Sequence, residues 1–141
     1  MAEAITIARM PESWRKAFSV ASAGTAACDG MKAASTAVNV LEEMGIDLSG
    51  HRTKFLTRKM VDEADLVIAM TGEHEEDILR LAPDSRSKVI VFGELDSCRE
   101  NPDIGDPLGG DEEAYRRTGE EIERLVYRLI DYLAELFKVT K

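Results

Sequence analysis

The sequence predicts an α/β domain, a parallel sheet covered by helices on both faces, and three observations carry that reading. Leu66 to Met70 and Lys88 to Phe92 are short, nearly continuous apolar runs of the kind found in strands buried on both faces. These runs alternate along the chain with segments whose apolar residues recur at helical spacing. A length of 141 residues with 44% hydrophobic and 32% charged residues suits one soluble domain with a real core.

Taken in order, Met1 to Arg9 reads as a helix stopped early by Pro11. Phe18 to Ala23 reads as a strand ending at Gly24. Met31 to Met44 places Ala34, Ala37, Val38, Leu41 and Met44 on one face and is closed by Gly45, a C-terminal helix stop. Thr57 is placed to cap a short helix to Glu63. Ala64 to Met70 follows as a strand buried on both faces. Gly72 to Leu81 is a helix ended by Pro83, and Lys88 to Phe92 is another buried strand. Asp111 to Phe137 carries Tyr115, Ile122, Leu125, Val126, Leu129, Leu133, Leu136 and Phe137 at helical spacing. Asp111, Glu112 and Glu113 at its start complement the positive end of the helix dipole.

Composition excludes several function classes. A net charge of −9 opposes a nucleic-acid surface, which needs clustered Lys and Arg. No apolar run approaches the roughly 20 residues of a membrane span, and the first residues lack the pattern of a signal peptide, so a cytoplasmic protein is expected. Cys28 and Cys98 make no disulfide framework, and no Cys/His cluster has metal spacing. No metal or cofactor is expected.

The segment from Asp103 to Tyr115, DIGDPLGGDEEAY, is the chemically informative one. An Asp-Pro pair on a loop hinged by Gly105, Gly109 and Gly110 can hold a carboxyl group over a cleft and protonate a leaving oxygen. A plain turn is the other local reading, since Asp, Pro and Gly are turn residues. The chain also opens on a helix, whereas an α/β layer usually begins with a strand whose following loop cradles phosphate at a helix N-terminus.

With Met1 to Ala4 (MAEA), Ser22 to Thr25 (SAGT), Gly45 to Arg52 (GIDLSGHR), Ala64 to Thr71 (ADLVIAMT) and Asp106 to Gly110 (DPLGG) in this order, the chain resembles the low-molecular-weight protein tyrosine phosphatases. The likeness extends to their bacterial branch, which includes protein arginine phosphatases. It implies a four-stranded parallel sheet in order 2-1-3-4, three layers deep, and hydrolysis of phosphorylated protein side chains through a phosphocysteine, with no metal. It further implies that residues 1–141 form a single phosphatase-like domain, N-terminally truncated. The first central strand and the Cys-x5-Arg phosphate loop are missing from it.

That nucleophile can be sought by counting. The thiolate needs an Arg six positions later to bind phosphate oxygens and lower the thiol pKa. Six after Cys28 is Ala34, and six after Cys98 is Ile104. The chain as it stands is therefore expected to be inactive by that mechanism. The resemblance assigns the leaving-group acid to Asp106, and support of the phosphate loop to Ser22 and His51. Cys28 and Leu108 fall at the pocket rim, Leu108 in place of an aromatic residue.

Three other readings stay open at this stage. The chain can be a binding or regulatory module that dimerises, a non-functional folding remnant, or a relative of the arsenate reductases. The last needs two further redox cysteines that Cys98 alone cannot supply. The expected substrate, once a loop is restored, is a phosphorylated protein or a small aryl phosphate. Without a central strand, the strands around Phe18 and Leu66 either pair directly or leave an edge that recruits a second copy, giving a homodimer.

Overall fold

The computed structural model describes residues 1–141. Its helices are α1 (Ala2–Arg9), α2 (Ser35–Glu43), α3 (Arg58–Glu63), α4 (Gly72–Leu81) and α5 (Glu112–Phe137). The strands β1 (Val67–Ala69) and β2 (Val89–Val91) pair in parallel, with Val67 opposite Val89, Ile68 opposite Ile90 and Ala69 opposite Val91.

Alternation along these strands builds the layers, because successive side chains of a strand point to opposite faces. Ala69 and Val89 pack with Val61 of α3 and Ile78 of α4 in one buried cluster. Ile68, on the other face, packs against the larger cluster formed by Ile5 of α1, Val40 and Leu41 of α2, and Ile122, Val126 and Leu129 of α5. Helices thus cover both faces of a small parallel sheet, as the sequence predicts.

The helix ends carry side-chain and glycine caps, of which Thr57 and Gly45 are the two the sequence predicts. Thr57, Thr71 and Asp111 each accept a hydrogen bond on the side chain from the amide three residues on, those of Met60, His74 and Ala114. Gly45, with φ +75°, ends α2 in a Schellman arrangement. The Gly45 amide donates to the Glu42 carbonyl and the Ile46 amide to that of Leu41. Gly119 lets α5 approach its neighbours closely, since a Cβ there would lie 3.3 Å from Met1 Cε and 3.4 Å from Met44 Sδ. Arg9 adds a polar tie, its Nε 2.5 Å from Glu123 of α5 and its Nη2 donating to the Met44 carbonyl.

Three expectations need correction. Phe18 to Ala23 forms no strand and does not pair with the strand that follows Leu66; the sheet has two strands only. The Phe18 amide closes a turn onto the Trp14 carbonyl, and its ring joins Trp14 (5.0 Å between centroids) and Phe137 (5.6 Å) in an aromatic cluster. Helix α2 begins at Ser35 rather than Met31, because Lys32 is drawn into an antiparallel bridge with Arg52. The strand expected from Ala64 to Met70 shortens to Val67–Ala69, and Val67 and Ile68 are half-buried rather than covered on both sides. Lys88 Nζ donates to the carbonyls of Asp62 in α3 and of Ala64, so the first residue of that run satisfies a side chain instead of a ladder.

Candidate functional site

The Asp-Pro loop is fastened to the C-terminal ends of both strands, the edge at which open α/β sheets bind ligands. The Ile104 amide donates to the carbonyl of Met70, just past β1, over 2.8 Å. The Gly93 amide, just past β2, donates to the Pro102 carbonyl over 3.1 Å. Asp103 Oδ1 accepts from the Gly72 amide at 2.8 Å, where the first turn of α4 has amides free of intrahelical partners. A Cβ on Gly93 would lie 2.2 Å from the Pro102 carbonyl oxygen, so only glycine permits this approach. Ile104 is buried beneath the loop at 2% exposure.

Beyond this anchor the chain turns tightly. Asp106 Oδ1 accepts from the Leu108 amide at 2.9 Å, forming an Asx turn. The Gly110 amide donates to the Pro107 carbonyl, and Gly109 has φ +81°. Asp111 then caps α5, and the buried Tyr115 ring locks the first turn of that helix into the core. The Asp106 side chain is exposed, with its Oδ2 unengaged, and Leu108 is 75% exposed. A carboxyl group held at one oxygen and open at the other can face a bound ester and pass a proton.

The remaining predicted site residues lie on a second pair of loops stitched to each other. The Gly24 amide donates to the Lys54 carbonyl and the Leu56 amide returns to the Gly24 carbonyl. The Gly30 amide donates to the Thr53 carbonyl and the Thr53 amide to that of Met31. Thr53 Oγ1 donates to the Cys28 carbonyl, and the Phe55 amide donates to Asp29 Oδ1 at 2.6 Å. Backbone pairing thus brings Cys28, with an exposed thiol, beside the half-buried His51 segment. The Ser22 hydroxyl, immediately before these loops, donates to a Glu3 carboxylate oxygen on α1. No hydrogen bond joins Asp106 to Ser22, His51 or Cys28, so the structure presents two loop clusters rather than one linked constellation.

Asp103 and Arg99 are positioning residues that sequence reasoning missed. Arg99 Nη1 lies 2.6 Å from Glu121 of α5, while Nη2 donates to the Asp103 carbonyl and Nε to that of Asn101. Asn101 in turn accepts from the Asp103 amide on its side chain. The spacing Asn-x-Asp was a readable turn signal, but the reach of Asp103 to Gly72 and of Arg99 to α5 is long-range and leaves no local trace. The GIDLSGHR segment holds a further turn. The Ser49 amide donates to Asp47 Oδ1 at 2.8 Å, and hydrogen bonds from Ser49 hold the Asp47 carboxyl below its usual range.

A family model described as Low molecular weight phosphotyrosine protein phosphatase matches residues 1–139. The chain is 37% identical over 114 residues to the protein-arginine-phosphatase of Geobacillus stearothermophilus, covering 81% of this chain and 76% of that protein. It is 34% identical over 98 residues to the low molecular weight protein-tyrosine-phosphatase Wzb of Escherichia coli K12, covering 70% of this chain and 67% of that protein. The solved structure of the YwlE arginine phosphatase from Geobacillus stearothermophilus superposes with a TM-score of 0.84 at 32% identity, covering 99% of this chain and 88% of that one. A sheet flanked by helices, an Asp-Pro loop at its C-terminal edge and a match over nearly every residue lead to one conclusion: the chain belongs to the low molecular weight phosphotyrosine protein phosphatase family.

Proposed function

We propose that this chain supplies the acid and the pocket rim for hydrolysis of a phosphorylated protein side chain or an aryl phosphate, and that alone it does not turn over. The observation that carries the reading is the pinned Asp-Pro loop, which presents Asp106 at the C-terminal edge of the sheet while no cysteine has an arginine six positions later. In this role Asp106 protonates the leaving oxygen and then activates water against a phosphocysteine. Ser22 and His51 brace a Cys-x5-Arg loop, with Ser22 exchanging Glu3 for a polar group of that loop. Cys28 and Leu108 border the pocket. The chemistry needs no metal, since backbone amides and a guanidinium hold the phosphate, and the cytoplasm is the compartment proposed for it.

The test is to place a strand and a Cys-x5-Arg loop ahead of Met1 and assay release of phosphate from p-nitrophenyl phosphate, phosphotyrosine peptide and phosphoarginine peptide. The expected result is turnover that Asp106→Asn lowers by about 100-fold or more, the usual scale of general acid catalysis. A folded, extended chain with no turnover on any of the three substrates would sink the reading.

A second reading, a module that dimerises, is favoured by one feature. The edge of β1 opposite β2 has no strand alongside it, and such an edge invites pairing with another chain. Multi-angle light scattering should then report a dimer at micromolar concentration. A monomer across the whole accessible concentration range would dismiss it.

A further inference from the structure

Residues 101–104, which lead into Asp106, bond on alternate sides, as an extended chain does. Pro102 gives its carbonyl to the Gly93 amide and Ile104 its amide to the Met70 carbonyl, so these two residues face the sheet. Asn101 and Asp103 face the other way, where no backbone group pairs with them. Arg99 takes that place, its Nε donating to the Asn101 carbonyl at 3.1 Å and its Nη2 to that of Asp103 at 3.2 Å. One planar guanidinium thus closes an outer edge that a neighbouring strand would otherwise close. Its third nitrogen, Nη1, lies 2.6 Å from Glu121 Oε1 on α5, and the two side chains are only 23% and 24% exposed. Glu121 has Arg117 four residues before it and Arg124 three after, spacings at which helical ion pairs form, yet its ion pair is with Arg99.

We propose that Glu121 is a positioning residue for Asp106, acting through Arg99, so that α5 and the acid loop move as one unit. The inference rests on the reading of Asp106 as the leaving-group acid and adds what sets its place. From Gly105 to Gly110 the loop's hydrogen bonds are internal, Leu108 to Asp106 and Gly110 to Pro107, so the carboxyl group is placed by the loop's two ends. Asp111 and the buried Tyr115 tie the far end to the first turn of α5. Glu121, through Arg99, ties the near end to the same helix. Without that carboxylate the guanidinium loses its charge-assisted bond and is free to turn from the two loop carbonyls toward solvent. Lysine cannot replace it, because one ammonium has no fork to span two carbonyls and a carboxylate.

The experiment is amide hydrogen exchange of the full chain, read residue by residue by NMR. Glu121→Gln and Arg99→Lys should each raise exchange of the Gly93 and Ile104 amides about tenfold, the scale of one charge-assisted hydrogen bond. The Ile46 and Met60 amides, bonded at the ends of other helices, should stay within about twofold. Because both changes break one linkage, combining them should add less than about twofold to the larger single effect. Circular dichroism verifies that all variants are folded. Parent-level protection of Gly93 and Ile104 in either variant, an equal rise at all four amides, or effects that multiply in the double variant would each overturn the proposal. Exchange does not depend on turnover, so absence of activity once a phosphate loop is restored would remove the acid role from Asp106 and leave this coupling standing.

Discussion

The amide of Ile104 donates to the carbonyl of Met70 over 2.8 Å, and this bond joins the Asp-Pro loop to the chain just past the end of β1. Asp106 follows two residues later, so the position of its carboxyl group is inherited from the sheet rather than from the flexible glycines around it. The same anchor is reinforced by Gly93 and Asp103, which makes the loop testable through residues that carry no chemistry of their own.

Asp103→Ala removes the acceptor for the Gly72 amide at the start of α4. Loss of a capping bond of this kind costs about 1 kcal/mol. Urea denaturation should show that loss, with an unchanged slope.

Gly93→Ala sets a Cβ against the Pro102 carbonyl oxygen at 2.2 Å, where backbone must move. Destabilisation of about 3 kcal/mol is expected, the upper range for overpacking. Gly50→Ala, with nothing within 4 Å, should change stability by less than about 0.5 kcal/mol. A thermal melt of the two variants side by side distinguishes a specific backbone approach from a general intolerance of alanine.

Asp47 titrates below its usual range because Ser49 donates to the charged form. With the folded-state value depressed, its contribution to stability is fully present above the unfolded value of about 3.9 and is lost as pH falls through the folded one. Carbon-detected NMR should place the Asp47 carboxyl midpoint below that of other exposed aspartates, and Ser49→Ala should move it upward. An unchanged midpoint in Ser49→Ala would remove Ser49 as the cause.

Arg116 bridges α2 and α5 through Glu43, and also holds Glu112 and Glu113 on its own helix; these three carboxylates raise its pKa further above an already high value. Arg116→Gln leaves three like charges facing each other. The resulting destabilisation should shrink as sodium chloride is raised, because exposed pairs are screened over about 10 Å at 0.1 M salt.

Much of the fold was legible because helix ends announce themselves locally. Thr57 and Gly45 occupy the caps that the sequence assigns them, and α1, α4 and α5 run within a residue of their expected bounds. The strands were less legible, since a strand exists only where a partner lies beside it. Phe18 to Ala23 has strand composition, yet Phe18 is taken by Trp14 and Phe137, and Ser22 by Glu3. Likewise Ala64 gives its carbonyl to Lys88 instead of to a neighbouring strand. Around the candidate site, the turn at Asp106 was legible in the Asp-Pro-x-Gly-Gly pattern, while the bracing of this loop by Asp103 and Arg99 depends on contacts between segments distant in sequence.

The central proposal is that Asp106 serves as the acid and that neither cysteine, lacking an arginine six positions later, serves as the nucleophile. Its most direct test is steady-state turnover of p-nitrophenyl phosphate by the purified chain, with Asp106→Asn and Cys28→Ala, Cys98→Ala variants prepared in parallel. The account predicts no turnover above buffer in any of them. Reproducible turnover that Asp106→Asn lowers and that disappears on replacing Cys28 or Cys98 would contradict it.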